Sequence, residues 1–157
     1  LHLPLRKDLP HSIEDGDQHM NYIDKEYDVA DGPAEKRKLQ NDFWFYYRSK
    51  EVVDYLRPEW REQGFISTFQ YGLKLNDSVV IMSPGELYHT TSLKMTELCA
   101  EDNPISVGIV NEYISYIPPM DKIDEGGYEP SVCIVTPDSS ERLVQNAHTI
   151  LEKIYEQ

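Results

Sequence analysis

Basic residues are scarce in this chain. Its 157 residues include 15 Lys and Arg against 28 Asp and Glu, a formal charge of −13. Phosphate backbones are held by clustered Lys and Arg, so this balance argues against nucleic acid as a partner. Cysteine is scarcer still. Cys99 and Cys133 are too few for a disulfide framework, and neither lies in a Cys-x-x-Cys spacing. Both read as buried thiols, Cys133 within an apolar run at 132–135, with a bridge between them left open. Long apolar runs are missing as well. The apolar share is 39%, and no stretch approaches the roughly 18–20 residues of a membrane span. There is no signal-peptide pattern, Gly-rich phosphate loop, His-Glu-x-x-His or Gly-x-Ser-x-Gly. The first residue is Leu1 rather than Met, so the chain is expected to be a processed product or a piece of something longer; its compartment stays open.

What is present is an alternation of apolar runs. Val79-Val80-Ile81-Met82 stops at Ser83-Pro84-Gly85-Glu86, and Ile105-Ser106-Val107-Gly108-Ile109-Val110 stops at Asn111-Glu112-Tyr113. A helical stretch from about 86 to 100 lies between them. Strand, helix, strand predicts a βαβ unit with parallel strands. Parallel strands end on one edge of the sheet, where ligands of open α/β sheets bind. Glu86 and residues 111–113 are therefore expected to meet at that edge.

The remaining pattern predicts a single α/β domain over 1–157, with a mixed sheet and helices packed on it. Residues 1–31 read as an irregular acidic arm. Within it, 14–31 has Lys25 as its only basic residue and reads as a solvated loop; the EF-hand spacing of a calcium loop is missing. Gly32-Pro33 predicts a helix start. A heavily aromatic helix over 34–49 follows, with Leu39, Phe43, Tyr46 and Tyr47 expected in the core and Trp44 and Phe45 widening that face. A second short helix is expected over 50–57, ending before Pro58. From Phe65 the period changes to two as far as Leu75, which predicts a half-exposed strand. Asn76-Asp77 turns it into an antiparallel hairpin with the Val79 strand. Residues 111–130 read as a long loop, too rich in tyrosine for disorder, and 131–135 as a short strand. Asp138 and Glu141 suggest a capping box for a last helix with Leu143, Val144, Ala147, Ile150, Leu151 and Ile154 on one face.

Three residue types at the strand ends carry chemistry. Glu86, placed at a helix N-terminus, would be favoured in its ionised, metal-binding form, although a first-turn Glu is also an ordinary feature. Tyr113 can ligate a metal after losing its proton, although a Tyr at a strand end is commonly a packing residue. His89 lies three residues after Glu86, a weak chelating spacing. His2, His11, His19 and His148 have no evident partner.

Ser83-Pro84-Gly85-Glu86-Leu87, then Val107-Gly108-Ile109-Val110-Asn111-Glu112-Tyr113-Ile114-Ser115-Tyr116-Ile117-Pro118, then Glu125-Gly126-Gly127-Tyr128-Glu129, occur in the order seen in neutral/alkaline ceramidases. Over about 65–157 the chain resembles the C-terminal part of that family's catalytic domain. The family consists of zinc-dependent amidases that hydrolyse the N-acyl bond of ceramide. The resemblance implies Glu86 and Tyr113 as zinc ligands and Tyr128 as a catalytic residue near the substrate amide. It implies further histidine ligands and an active-site Ser in an upstream part of the same protein. The expected substrate is ceramide or a related N-acyl lipid. A binding domain that keeps the fold without a full metal site is the alternative.

Overall fold

The computed structural model describes residues 1–99 and 103–156, apart from the side chains of Asp54 and Tyr55. The elements run β1 (His2–Pro4), α1 (Ile13–Val29), α2 (Pro33–Tyr55), α3 (Pro58–Gln63), β2 (Phe65–Ser67), β3 (Tyr71–Leu75), β4 (Ser78–Met82), β5 (Glu86–Leu87), α4 (His89–Glu97), β6 (Asn103–Val107), β7 (Tyr116–Ile117), α5 (Met120–Ile123), α6 (Tyr128–Val132) and α7 (Ser139–Tyr155). This is an α/β fold with mixed strand pairing.

The central sheet has the order β3-β4-β6. β3 and β4 form the expected antiparallel hairpin, and β4 runs parallel to β6, with Val80 opposite Ile105 and Met82 opposite Val107. The βαβ unit is thus present. The helix between its strands is α4, and the predicted end of that helix at Ala100 lies outside the described residues. Because side chains alternate across a strand, Val79 and Ile81 point to one face and are fully buried. There they join Met95, Ala147 and Leu151 of α4 and α7. Burying each such side chain is worth about 1.5–3 kcal/mol. The opposite face carries Tyr71, Leu73, Leu75, Ile105 and Val107, all exposed.

The strand expected over 65–75 is split. β2 pairs with β1, far away in sequence, while β3 pairs with β4. The alternation persists across the break, but its more polar set faces inward. Ile66, Thr68 and Gln70 are buried, whereas Phe69 is 66% exposed. Gln70 lies in a buried polar network. Its Nε2 donates to Ser83 Oγ at 2.9 Å, and its Oε1 accepts from Asn146 Nδ2 at 2.9 Å. That network ties the residues after β4 to α7.

The N-terminal reading needs correction. Residues 1–31 are not an irregular arm, because α1 occupies seventeen of them. Ser12 caps the helix by accepting from Asp15 N at 3.1 Å, and the Asp15 carboxylate reaches back to His11 N at 2.8 Å. This reciprocal cap was hidden among acidic residues. Ahead of the helix, Leu3 is fully buried, and Leu5 and Leu9 pack on the core that includes Ile66, Ile114 and Leu143. Pro33 opens α2 as expected. The break near residue 50 does not exist: α2 runs on to Tyr55. Of its aromatic cluster only Phe45 is buried, and Trp44 and Tyr47 stay exposed.

Three further expectations fail downstream. Residues 111–130 hold β7, α5 and the start of α6, and the strand expected at 131–135 is the end of α6 followed by extended chain. Only Val135 bridges to Leu5. α7 buries Leu143, Ala147 and Leu151 as its spacing predicts. Its capping box is not formed, because Asp138 instead accepts from Arg142 Nε at 2.7 Å and Glu141 from Ser140 Oγ at 2.8 Å. Cys99 and Cys133 are both buried, in different core clusters.

Candidate functional site

Two segments leave the same edge of the parallel pair β4-β6 and are laced together by main-chain bonds. Ser83 N donates to Val107 O at 2.8 Å, Ile109 N to Gly85 O at 2.9 Å and Val110 N to Ser83 O at 3.0 Å. Glu86 N donates to Ser115 O at 2.9 Å. Gly85 makes this lacing feasible. Its φ is 69°, and a Cβ there would meet Ser115 O at 2.8 Å and Ile114 Cγ1 at 2.9 Å. Across from it, Ile109, Asn111 and Ser115 all take positive φ. For a β-branched residue such as Ile109 this is a strained conformation, of the kind that concentrates at functional segments. Arg57 Nη2 anchors the second segment through Glu112 Oε1 at 2.7 Å.

Glu86 is not at a helix N-terminus. It lies in the two-residue strand β5, and α4 begins three residues later at His89. The turn at Gly85 sends the chain alongside β7 before the helix can start. Glu86 and His89 therefore do not share a helix face, and His89 is exposed on α4. The meeting of Glu86 with Tyr113 does occur, by this other route. β5 runs parallel to β7, with Glu86 opposite Tyr116 and Leu87 opposite Ile117.

The Glu86 carboxylate accepts hydrogen bonds from the hydroxyls of both Tyr113 and Tyr116. That bond, then desolvation, then the Glu86 charge push the Tyr116 phenol up to about 12. Tyr113 is raised by desolvation first and then by its hydrogen bond to Glu86. Tyr113 is nevertheless 61% exposed along its length, so the carboxylate–phenol cluster opens to solvent. Tyr116 was missed in the sequence. The signal for it was its position three residues after Tyr113 in the Asn-x-Tyr-x-x-Tyr run, but only the β5-β7 register shows which phenol lies opposite Glu86.

Tyr128 reaches the same cluster. It is the first residue of α6, and its ring stands edge-on to that of Tyr116, with centroids 5.7 Å apart. Ser115 Oγ donates to Val132 O at 2.7 Å, which holds α6 against the Tyr116 segment. The Arg48 guanidinium, from α2, lies over the Tyr128 ring, 4.7 Å from its centroid.

A carboxylate and two phenols are hard oxygen donors suited to part of a zinc site, although a cation would have to displace the phenol protons that now bond to Glu86. Among the described residues, no three His, Cys, Asp or Glu side chains are grouped to hold a metal ion. The histidines serve elsewhere. His19 stacks on Tyr46 at 4.3 Å, His2 packs edge-on against Phe65, and His148 lies 3.6 Å from Glu152. No described helix is long and apolar enough to cross a membrane. No family model matches the chain, and no curated protein matches it.

Proposed function

We propose that this chain is part of a zinc-dependent amidohydrolase similar to the neutral ceramidases, acting on the N-acyl amide of ceramide or a related N-acyl lipid. The observation that supports this reading is the Glu86 carboxylate bonded to two phenols at the edge of a parallel strand pair. Glu86 and Tyr113 are the zinc donors carried over from the motif resemblance. Tyr116 joins them as a third oxygen donor, because its backbone register pairs it with Glu86. The remaining ligands, and the nucleophile, come from an upstream part of the same protein.

Zinc bound there would polarise an amide carbonyl and acidify a water. The chain's own residues orient the reaction. Glu86 fixes the phenols while they hold their protons. The Tyr128 hydroxyl, on an exposed ring beside Tyr116, is available to donate to the oxygen that gains negative charge when the amide is attacked. In the whole protein, Glu86→Ala is expected to abolish both zinc content and hydrolysis of N-acyl sphingoid substrates; retention of both rejects the assignment.

A second reading, a binding domain that keeps the fold without turnover, is favoured by the lack of a three-ligand group among the described residues. Calorimetric zinc titration of the whole protein separates the two. Sub-micromolar affinity supports the enzyme, and no binding supports the domain.

A further inference from the structure

We propose that the cleft between the N-terminal segment and α2–α3 is a binding site for a single-chain aliphatic carboxylate. The site shares no residue with the Glu86 cluster and does not rest on the amidase reading. The segment from Pro4 to His11 lines, with Val53 and Leu56 of α2 and Arg61 of α3, a cavity of about 360 Å³. That volume lies within the roughly 300–1,000 Å³ of small-ligand pockets. The segment is pinned at both ends. Leu5 N donates to Gly64 O at 2.9 Å and Arg6 N to Ile134 O at 3.0 Å, while Arg61 Nη2 donates to His11 O. The cleft is therefore held open by main-chain acceptors on both sides.

Its floor is apolar. Val53 and Leu56 belong to the core cluster, and Leu5 and Leu9 pack against that core from the segment. Its charged side chains are Arg6, Lys7 and Arg61, with no Asp or Glu among the described lining residues, in a chain that carries 28 acidic side chains. The three cations are not equivalent. Arg6 is satisfied by a two-pronged bond to the Asp8 carboxylate, at 2.9 and 2.6 Å. Lys7 is exposed and has no ion pair or side-chain hydrogen bond among the described residues. Arg61 gives one N–H to a main-chain carbonyl, which leaves its charge unbalanced. Two unbalanced cations at the rim of an apolar cavity are complementary to an anionic head on an aliphatic tail. The head accepts charge-assisted hydrogen bonds, one carboxylate oxygen for each cation. The tail displaces water from the apolar floor. A cationic head would be repelled by the same residues, and an uncharged one would leave them without a counter-charge.

The test is a methyl-resolved NMR titration of the full chain with sodium decanoate, decanol and decyltrimethylammonium, which share a tail and differ in head charge. Decanoate is expected to shift the methyl signals of Leu5, Leu9, Val53 and Leu56 along a saturable single-site curve. It should bind about tenfold more tightly than decanol, and the cationic amphiphile should leave these signals in place. Lys7→Gln with Arg61→Gln should weaken decanoate about tenfold and leave decanol unchanged. Both residues are exposed, so the fold should not depend on them. If Arg61→Gln, which also gives up the His11 contact, fails to fold, Lys7→Gln decides alone, with a weakening of about threefold. No saturable shift at these methyls, shifts confined to another surface, equal affinity for the three heads, or a folded variant that binds decanoate like the wild type overturns the proposal. The readout needs neither zinc nor turnover. A Glu86→Ala protein that keeps its zinc and activity would sink the functional reading while the decanoate result stood.

Discussion

Glu86 and Tyr116 are directly opposite one another in the parallel pair β5-β7, and the carboxylate of the first accepts the hydroxyl of the second. The backbone places the two Cα atoms side by side, and the side chains complete the contact. This relationship has a consequence for stability at alkaline pH. The folded phenol titrates near 12, above the unfolded value of about 10. Its stabilising contribution is therefore complete below pH 10 and disappears as pH rises from about 10 to 12. Tyr116→Phe should flatten the loss of stability in that window. Urea midpoints measured across it would show this, and equally steep declines in the two proteins would count against the bond.

Gly85 should tolerate no side chain. Its positive φ alone would cost a substituted residue about 1–3 kcal/mol, and the Cβ would press on Ser115 O and Ile114. Gly85→Ala is expected to lower stability by at least that amount in chemical denaturation. It should also displace the Tyr116 resonance, because the lacing of the two segments passes through this residue.

The two faces of the central sheet predict unequal costs for one substitution. Ile81 is fully buried, and Ile105 on the neighbouring strand pair is 50% exposed on the other face. Ile81→Ala should cost about 2–5 kcal/mol. Ile105→Ala should stay within about 1 kcal/mol. Equilibrium unfolding of both variants would decide this, and similar costs would mean that the exposed face is covered in solution.

Cys133 should be inert while the chain is folded. Burial pushes its thiol up to about 11. Since the thiolate is the reactive form, alkylation at pH 8 is expected to leave Cys133 unmodified until denaturant is added. Peptide mapping by mass spectrometry would read this directly, and rapid native labelling would contradict the burial.

Local pattern was a good guide where one element's own spacing decides the outcome. The β4-β6 pairing, the start of α2 at Pro33 and the α7 stripe through Leu143, Ala147 and Leu151 all followed from periodicity and from the fixed φ of proline. α1 escaped because its apolar residues are few. It is held by the Ser12–Asp15 cap and by packing on α2, where Lys50 pairs with Asp17 across the two helices.

Composition and spacing alone determined that this is an acidic chain with a parallel strand pair, whose ends bring Glu86 near a tyrosine-bearing segment. Only the tertiary structure decided that Glu86 sits in a strand rather than a helix, that Tyr116 faces it alongside Tyr113, and that Arg48 reaches Tyr128 from a distant helix. The physical reason is range. Helical and strand periods are written in neighbouring residues, whereas the β5-β7 register and the Arg48 stacking depend on main-chain bonds and ring contacts between segments that meet only after the chain has folded.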